Sequence, residues 1–157
     1  FHYDNSPREK QRAVFRRQLK LAREVDLPVV IHSREAKEDT LEILAEEGQD
    51  LEGVLHCFGY DLETAQWAIE AGFYIAFGGI ITFNSADQLR MVVPNLELDK
   101  LLLETDAPYL TPQSNRGQRN EPQYIIEVAA KIAQLKNVSL DQIAEVTTKN
   151  AEQLFGI

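Results

Sequence analysis

Apolar residues in this chain gather into two kinds of run. Four are continuous and of strand length: Val29-Val30-Ile31, Gly53-Val54-Leu55, Phe73-Tyr74-Ile75-Ala76-Phe77 and Leu101-Leu102-Leu103. Elsewhere apolar positions recur every three or four residues inside polar stretches, as in helices that bury one stripe. The pattern predicts a helix opening at Asn5-Ser6-Pro7 and ending near Asp26. Ser6 is its expected N-cap, Pro7 suits its first turn, and Val14, Leu21 and Val25, flanked by Leu19 and Ala22, form its stripe. A strand follows from Pro28 to Ile31. The next helix spans about Lys37 to Glu47, with Leu41, Leu44 and Ala45 inward and Gly48 as its stop. Gly53 to His56 is a strand. Asp61 caps a helix to Ala71 that packs through Trp67 and Ile69 and stops at Gly72. Phe73 to Phe77 is a strand ending at Gly78-Gly79, Ser85 to Val93 a short helix closed by Pro94, and Leu101 to Glu104 the last strand. Helices over Glu121–Leu135, Leu140–Thr147 and Thr148–Phe155 finish the chain, with Ser139 and Asp141 suited to cap the second.

Strands alternating with helices at this spacing indicate parallel βα units. The fold class expected is α/β: a partial TIM-type (β/α) barrel of about four parallel strands with flanking helices, in a single domain over residues 1–157. A closed barrel needs about eight strands. Either the sheet is open, or about half of a barrel lies outside this sequence. Unpaired edge strands invite association, so self-association of the segment is expected.

Composition narrows the picture. The 44% apolar content supports a packed core, and the formal net charge of −9 excludes the basic face of a protein that grips duplex DNA through phosphates. Acidity does not exclude a nuclease, because bound divalent cations supply local positive charge. No apolar run reaches the ~18 residues of a membrane span, and no secretory leader is evident. The single Cys57 precludes an internal disulfide. A cytoplasmic, reducing location is expected.

The chemistry sits where strands end. His32 closes the first apolar run, His56 closes the second, and Asp106 follows the fourth by way of Glu104-Thr105. A parallel barrel presents such residues on one rim. Neighbouring strands lie about 4.8 Å apart, so both imidazoles fall within reach of one ion. His32, His56 and Asp106 are the candidate metal ligands, and Asp106 is also the candidate catalytic base, able to accept a proton from water. Glu104 shares the face of Asp106, either as a partner of a ligand histidine or as a solvated rim residue. Strand alternation turns Cys57 away from His56, as a buried structural thiol. His2 reads as a surface histidine. Gly78-Gly79 reads as a turn or as a close approach to phosphate. Arg34, and Arg116 with Arg119 in the polar loop after Asp106, are candidates for contacting substrate phosphates.

The phrases IHSREA, GVLHCF, GFYIAFGGIITF, LLLETDAPYL, NRGQRNEP and EVTTKNAEQLFGI together resemble the TatD family of metal-dependent deoxyribonucleases, in order and spacing across essentially the whole chain. The resemblance implies an irregular TIM barrel of the metallo-dependent hydrolase superfamily that binds two divalent metal ions. It implies phosphodiester hydrolysis of DNA, by a 3′-to-5′ exonuclease acting on single strands or 3′ ends. It assigns His32, His56 and Asp106 as metal ligands. The family also carries a His-x-His pair and the glutamate of a GEIGLD phrase, and neither is in this sequence. FHYDNSPREKQ resembles what directly follows GEIGLD, so roughly the first hundred residues of a barrel of about 250 are expected upstream. Two alternatives remain: a metal-dependent hydrolase of a small cyclic amide or ester, and a non-catalytic association module.

Overall fold

Four parallel strands stand side by side in chain order: β1 (Val29–His32), β2 (Gly53–His56), β3 (Phe73–Phe77) and β4 (Leu101–Leu103). The structure, a computed structural model, describes residues 1–157. Helix α1 (Arg8–Val25) leads into β1. Helices α2 (Lys37–Glu47), α3 (Leu62–Glu70) and α4 (Asp87–Val92) link successive strands, and α5 (Ile125–Lys136) and α6 (Leu140–Phe155) follow β4.

Register decides what each face of the sheet carries. Val29 pairs with Gly53 and Gly53 with Phe73, while Ile75 pairs with Leu101. Aligned residues of parallel strands share a face, so odd-numbered strand residues point one way and even-numbered ones the other. The odd face buries Ile31, Leu55, Phe73, Ile75, Phe77 and Leu101 against Leu19, Ile43, Leu44, Ala65, Ala68, Val128 and Ile132 of the helices. Each such side chain contributes about 1.5–3 kcal/mol of burial. On the even face, Val54, Tyr74, Ala76 and Leu102 lie beneath Leu154 of α6. Val30 on β1 escapes this cover and is 60% exposed. Two bonds from the buried Asn150 amide anchor α6, donated to the carbonyls of Leu98 and Leu101 at 2.8 Å each.

Several local expectations change. Ser6 does not cap α1: Pro7 holds that position without a side-chain cap, and the Ser6 carbonyl accepts a bond from the Gln11 side chain instead. The inward stripe of α1 is Leu19 and Ala22, both buried, with Phe15 half-buried beside them, while Val14, Leu21 and Val25 are exposed. Packing against α2 sets this rotation, with Arg12, Arg16 and Lys20 paired to Asp39, Glu46 and Glu47 along the seam. Exposed pairs of this kind are weak, so apolar burial stabilises the seam more than the ion pairs do. In α2 it is Ile43 with Leu44, not Ala45, that turns inward. α6 runs unbroken through Thr147-Thr148. Thr147 returns its hydroxyl to the Ile143 carbonyl and Asn150 bonds β4, so tertiary contacts override the weak helix propensity of the threonine pair. Asp61 and Ser139 cap α3 and α6 as expected, accepting from the backbone N–H of Thr64 and Gln142.

β1 pairs only with β2, and β4 only with β3. Both outer edges carry unpaired backbone groups, and Val30 adds apolar surface beside one of them. Sedimentation equilibrium of the 157-residue chain should therefore give a mass above the 17.8 kDa of one copy, falling toward it in Val30→Lys. A monodisperse monomer at every concentration would contradict this.

Candidate metal centre

His32 and His56 are register partners at the ends of β1 and β2, with ring centroids 5.5 Å apart. His56 sits between two carboxylates. Its Nδ1 hydrogen-bonds Oε2 of Glu104, and its Nε2 lies 3.7 Å from Oδ1 of Asp106. Glu104 reaches this position because its N–H extends the β3–β4 ladder by one bond, to the Phe77 carbonyl at 3.1 Å. Its side chain is only 15% exposed, and its second oxygen, Oε1, is buried with no hydrogen-bond partner. No three His, Cys, Asp or Glu side chains close around one point as a finished ion cage. The pairs His32–His56 and His56–Asp106 meet; the full set does not.

Asp106 is held by its loop. Its backbone is left-handed, φ 55°, and the N–H of Tyr109 turns back to its carbonyl at 2.8 Å. The Asn120 amide clamps both ends of this turn, donating to the carbonyls of Thr105 at 2.7 Å and Tyr109 at 2.5 Å. Asn120 is 2% exposed and its own N–H bonds the Pro108 carbonyl. In the sequence this part of NRGQRNEP reads as an exposed polar loop, and Asn120 does not stand out. The available signal is an asparagine followed by Glu-Pro soon after a strand-end aspartate.

Cys57 departs from expectation. It lies just past the end of β2 with φ 48°, a left-handed conformation that breaks the alternation of sides. It therefore joins His32 and Asp106 in lining the cleft, only partly buried, instead of turning away. Burial first, then the negative charge of Glu104 and Asp106, pushes its thiol up to about 12, so it stays protonated at neutral pH. Gly78-Gly79 is neither a surface turn nor an open phosphate cradle. Both glycines are buried, and the Leu110 carbonyl lies 2.0 Å from where a Cβ on Gly79 would stand. Arg34 lines the cleft. Arg116 stacks on the Phe83 ring, 4.0 Å from its centroid, and is not among the cleft-lining residues. Arg119 is exposed. His2 is half-buried and bonds Glu35 at 2.5 Å.

The cleft holds about 900 Å³ and is walled by Tyr3, Tyr60, Tyr109 and Ile80 as well as the polar residues above. The two imidazoles differ electrostatically. The Glu104 hydrogen bond raises the pKa of His56 against the opposing effect of burial, whereas burial and the neighbouring His56 lower that of His32. Imidazole nitrogen with carboxylate oxygen is a donor set for a divalent ion such as Zn²⁺ or Mn²⁺. A histidine whose other nitrogen is fixed by a carboxylate is the usual form of a ligand histidine. The donors present fit a divalent ion on these grounds.

Comparison with known proteins agrees on one family. The family model described as TatD related DNase matches residues 1–156. An uncharacterized metal-dependent hydrolase, YabD, of Bacillus subtilis is 47% identical over 158 residues, spanning 100% of this chain and 62% of its own. Another, YcfH of Escherichia coli, is 44% identical, with 100% of this chain and 60% of its own covered. Among solved structures, the TatD homolog YjjV of Escherichia coli superposes with a TM-score of 0.89 at 35% identity, over 95% of this chain and 57% of that one. The chain thus spans about three fifths of the length of these relatives.

The opposed shifts make a pH prediction for the metal-free protein. His56 should titrate above the ordinary histidine range and His32 below it, followed as separate ring Cε1–H resonances by NMR. The raised pKa of His56 means that its pairing stabilises the fold at pH below its unfolded value, and that this contribution is lost as pH rises through the folded value. For His32 the sign reverses: its contribution is present above the unfolded value and lost as pH falls through the folded one. Coincident titration of the two rings would contradict the geometry.

Proposed function

This chain belongs to the TatD-related DNase family of metal-dependent hydrolases, and from that premise we propose that it supplies four strands and part of the metal centre of a metal-dependent deoxyribonuclease. The reading rests on one observation above the others. His56 is fixed between Glu104 and Asp106, and its register partner His32 stands beside it at the same end of the sheet. His32, His56 and Asp106 would hold divalent metal, two ions in the complete site. Metal held there would supply Lewis-acid chemistry, polarising a phosphoryl oxygen and lowering the pKa of water toward neutrality.

The residues of the chain do the rest. Asp106, 32% exposed on a clamped turn and lining the cleft, would accept the proton of the attacking water. Arg34 on the cleft wall is placed to pair with a phosphate. The tyrosines lining the cleft favour unpaired bases, which stack on aromatic rings, over the stiff duplex. The net charge of −9 agrees with a substrate taken up at a metal-lined end, since no broad basic face draws in duplex DNA. Together these support single-stranded DNA as substrate; the preference for 3′ ends and 3′-to-5′ exonucleolysis are what the family resemblance adds to the proposal. No helix is long and apolar enough to cross a membrane. The single cysteine fits work in a reducing, cytoplasmic setting.

Asp106→Ala in the full-length protein should lower hydrolysis of a labelled single-stranded oligodeoxynucleotide by about 10²-fold or more. Thermal unfolding should change little, because the Asp106 side chain is on the rim and not in the core. Near-normal turnover would show that Asp106 is neither base nor essential ligand. Turnover of a cyclic dihydropyrimidine-type amide in place of DNA would transfer the site to the alternative hydrolase reading.

A further inference from the structure

Glu104 is a charged group kept in an expensive place. One carboxylate oxygen bonds His56 Nδ1, while the other is buried and unpaired. An unpaired buried oxygen costs stability, and nothing in the sheet or helix packing requires a carboxylate there. The space it occupies exists because residue 78 is glycine. A Cβ on Gly78 would stand 2.9 Å from Glu104 Oε1 and 3.3 Å from its Cγ. Gly78 is buried, with an ordinary extended φ of −116°, so its backbone has no need of glycine. Only the space does.

We infer that Glu104 is a positioning residue of the metal centre. By accepting the Nδ1 proton of His56 it fixes the tautomer that leaves Nε2 bare toward Asp106, and Gly78 belongs to the site as the residue that admits the carboxylate. The inference rests on the proposed metal centre and assigns a role to two residues outside its ligand set. The chemistry is that of a carboxylate–histidine pair, in which the outer group orients the ring and raises its basicity as a donor. Loss of such a partner weakens metal affinity about 10- to 100-fold.

The test is a double-mutant cycle in the full-length protein, read by calorimetric titration with Zn²⁺ alone. Glu104→Ala should weaken Zn²⁺ binding about 10- to 100-fold, while Glu104→Gln, which can still accept from Nδ1, stays close to the parent. Gly78→Ala has no backbone strain, and the atom it displaces ends a flexible side chain. It should fold normally yet weaken Zn²⁺ binding in the same range. Gly78→Ala combined with Glu104→Ala should be no weaker than Glu104→Ala alone, because the atom pushed aside is already gone. A second readout uses no metal. Above the histidine titration range, ¹⁵N spectra should show the His56 proton on Nδ1 in the parent and Glu104→Gln, and shared between both nitrogens in Glu104→Ala. Parent-like Zn²⁺ affinity in Glu104→Ala, full additivity in the cycle, or an unchanged His56 proton in Glu104→Ala would each overturn the inference. His56→Ala and Asp106→Ala distinguish a failure of this role from a failure of the metal centre. If both lose Zn²⁺ while Glu104→Ala keeps it, only the role of Glu104 falls. If neither loses it, the metal centre itself is wrong.

Discussion

The register of β1 on β2 is the constraint on which the site depends. Val29 opposite Gly53 forces His32 opposite His56, and a slip of one residue would turn one imidazole into the helix layer. The same apolar residues that fix the register supply the core. Ile31 and Leu55 lock the odd face against the helices, which leaves the even face, and with it both histidines, at the open end of the sheet. Core packing and site geometry are therefore a single requirement on the sequence. Gly53 shows how tight it is: a Cβ there would stand 2.5 Å from the Val29 carbonyl, so β1 approaches β2 at that point only because the side chain is absent.

Around this rigid end the chain adopts backbone conformations that most residues avoid. Glu35, Cys57, Asp106 and Leu110 all have φ between 48° and 56°, and all four line the cleft. Such conformations cost about 1–3 kcal/mol each and persist where the surroundings over-determine them. The surroundings here are identifiable. Asn120 clamps the Asp106 turn, and Gly79 leaves room for the Leu110 carbonyl. Ser33 bonds both Thr40 and Tyr60 at 2.7 Å, tying the loop after β1 to the one after β2. Polar side chains position the loops because only single backbone bonds, such as Glu104 N–H to the Phe77 carbonyl, carry the ladder past the strand ends.

Much of this is legible in the sequence, for physical reasons. The strands are, because parallel strands buried on both faces leave uninterrupted apolar runs, and each ends within a residue or two of its expected limit. The convergence of His32 with His56 follows from strand spacing. What cannot be read is set by contacts between distant segments. The rotation of α1 depends on where α2 lies, so periodicity alone does not rank Val14 against Phe15. Cys57 defeats the alternation rule because that rule holds only while the strand lasts, and its φ changes sign one residue after β2 ends. Asn120 and Gly78 stay hidden because their roles are steric and polar complements to Thr105, Tyr109 and Glu104, which only the folded chain brings to them.

The central proposal is that His32, His56 and Asp106, at one end of the parallel sheet, are ligands for divalent metal. Anomalous X-ray diffraction from crystals of the full-length protein grown with Zn²⁺ tests it most directly. The expected result is an anomalous peak within bonding distance, about 2.0–2.2 Å, of His56 Nε2 or of an Asp106 oxygen, with the His32 ring facing the same density. A peak lodged elsewhere on the surface, with all three side chains free of metal, would contradict it.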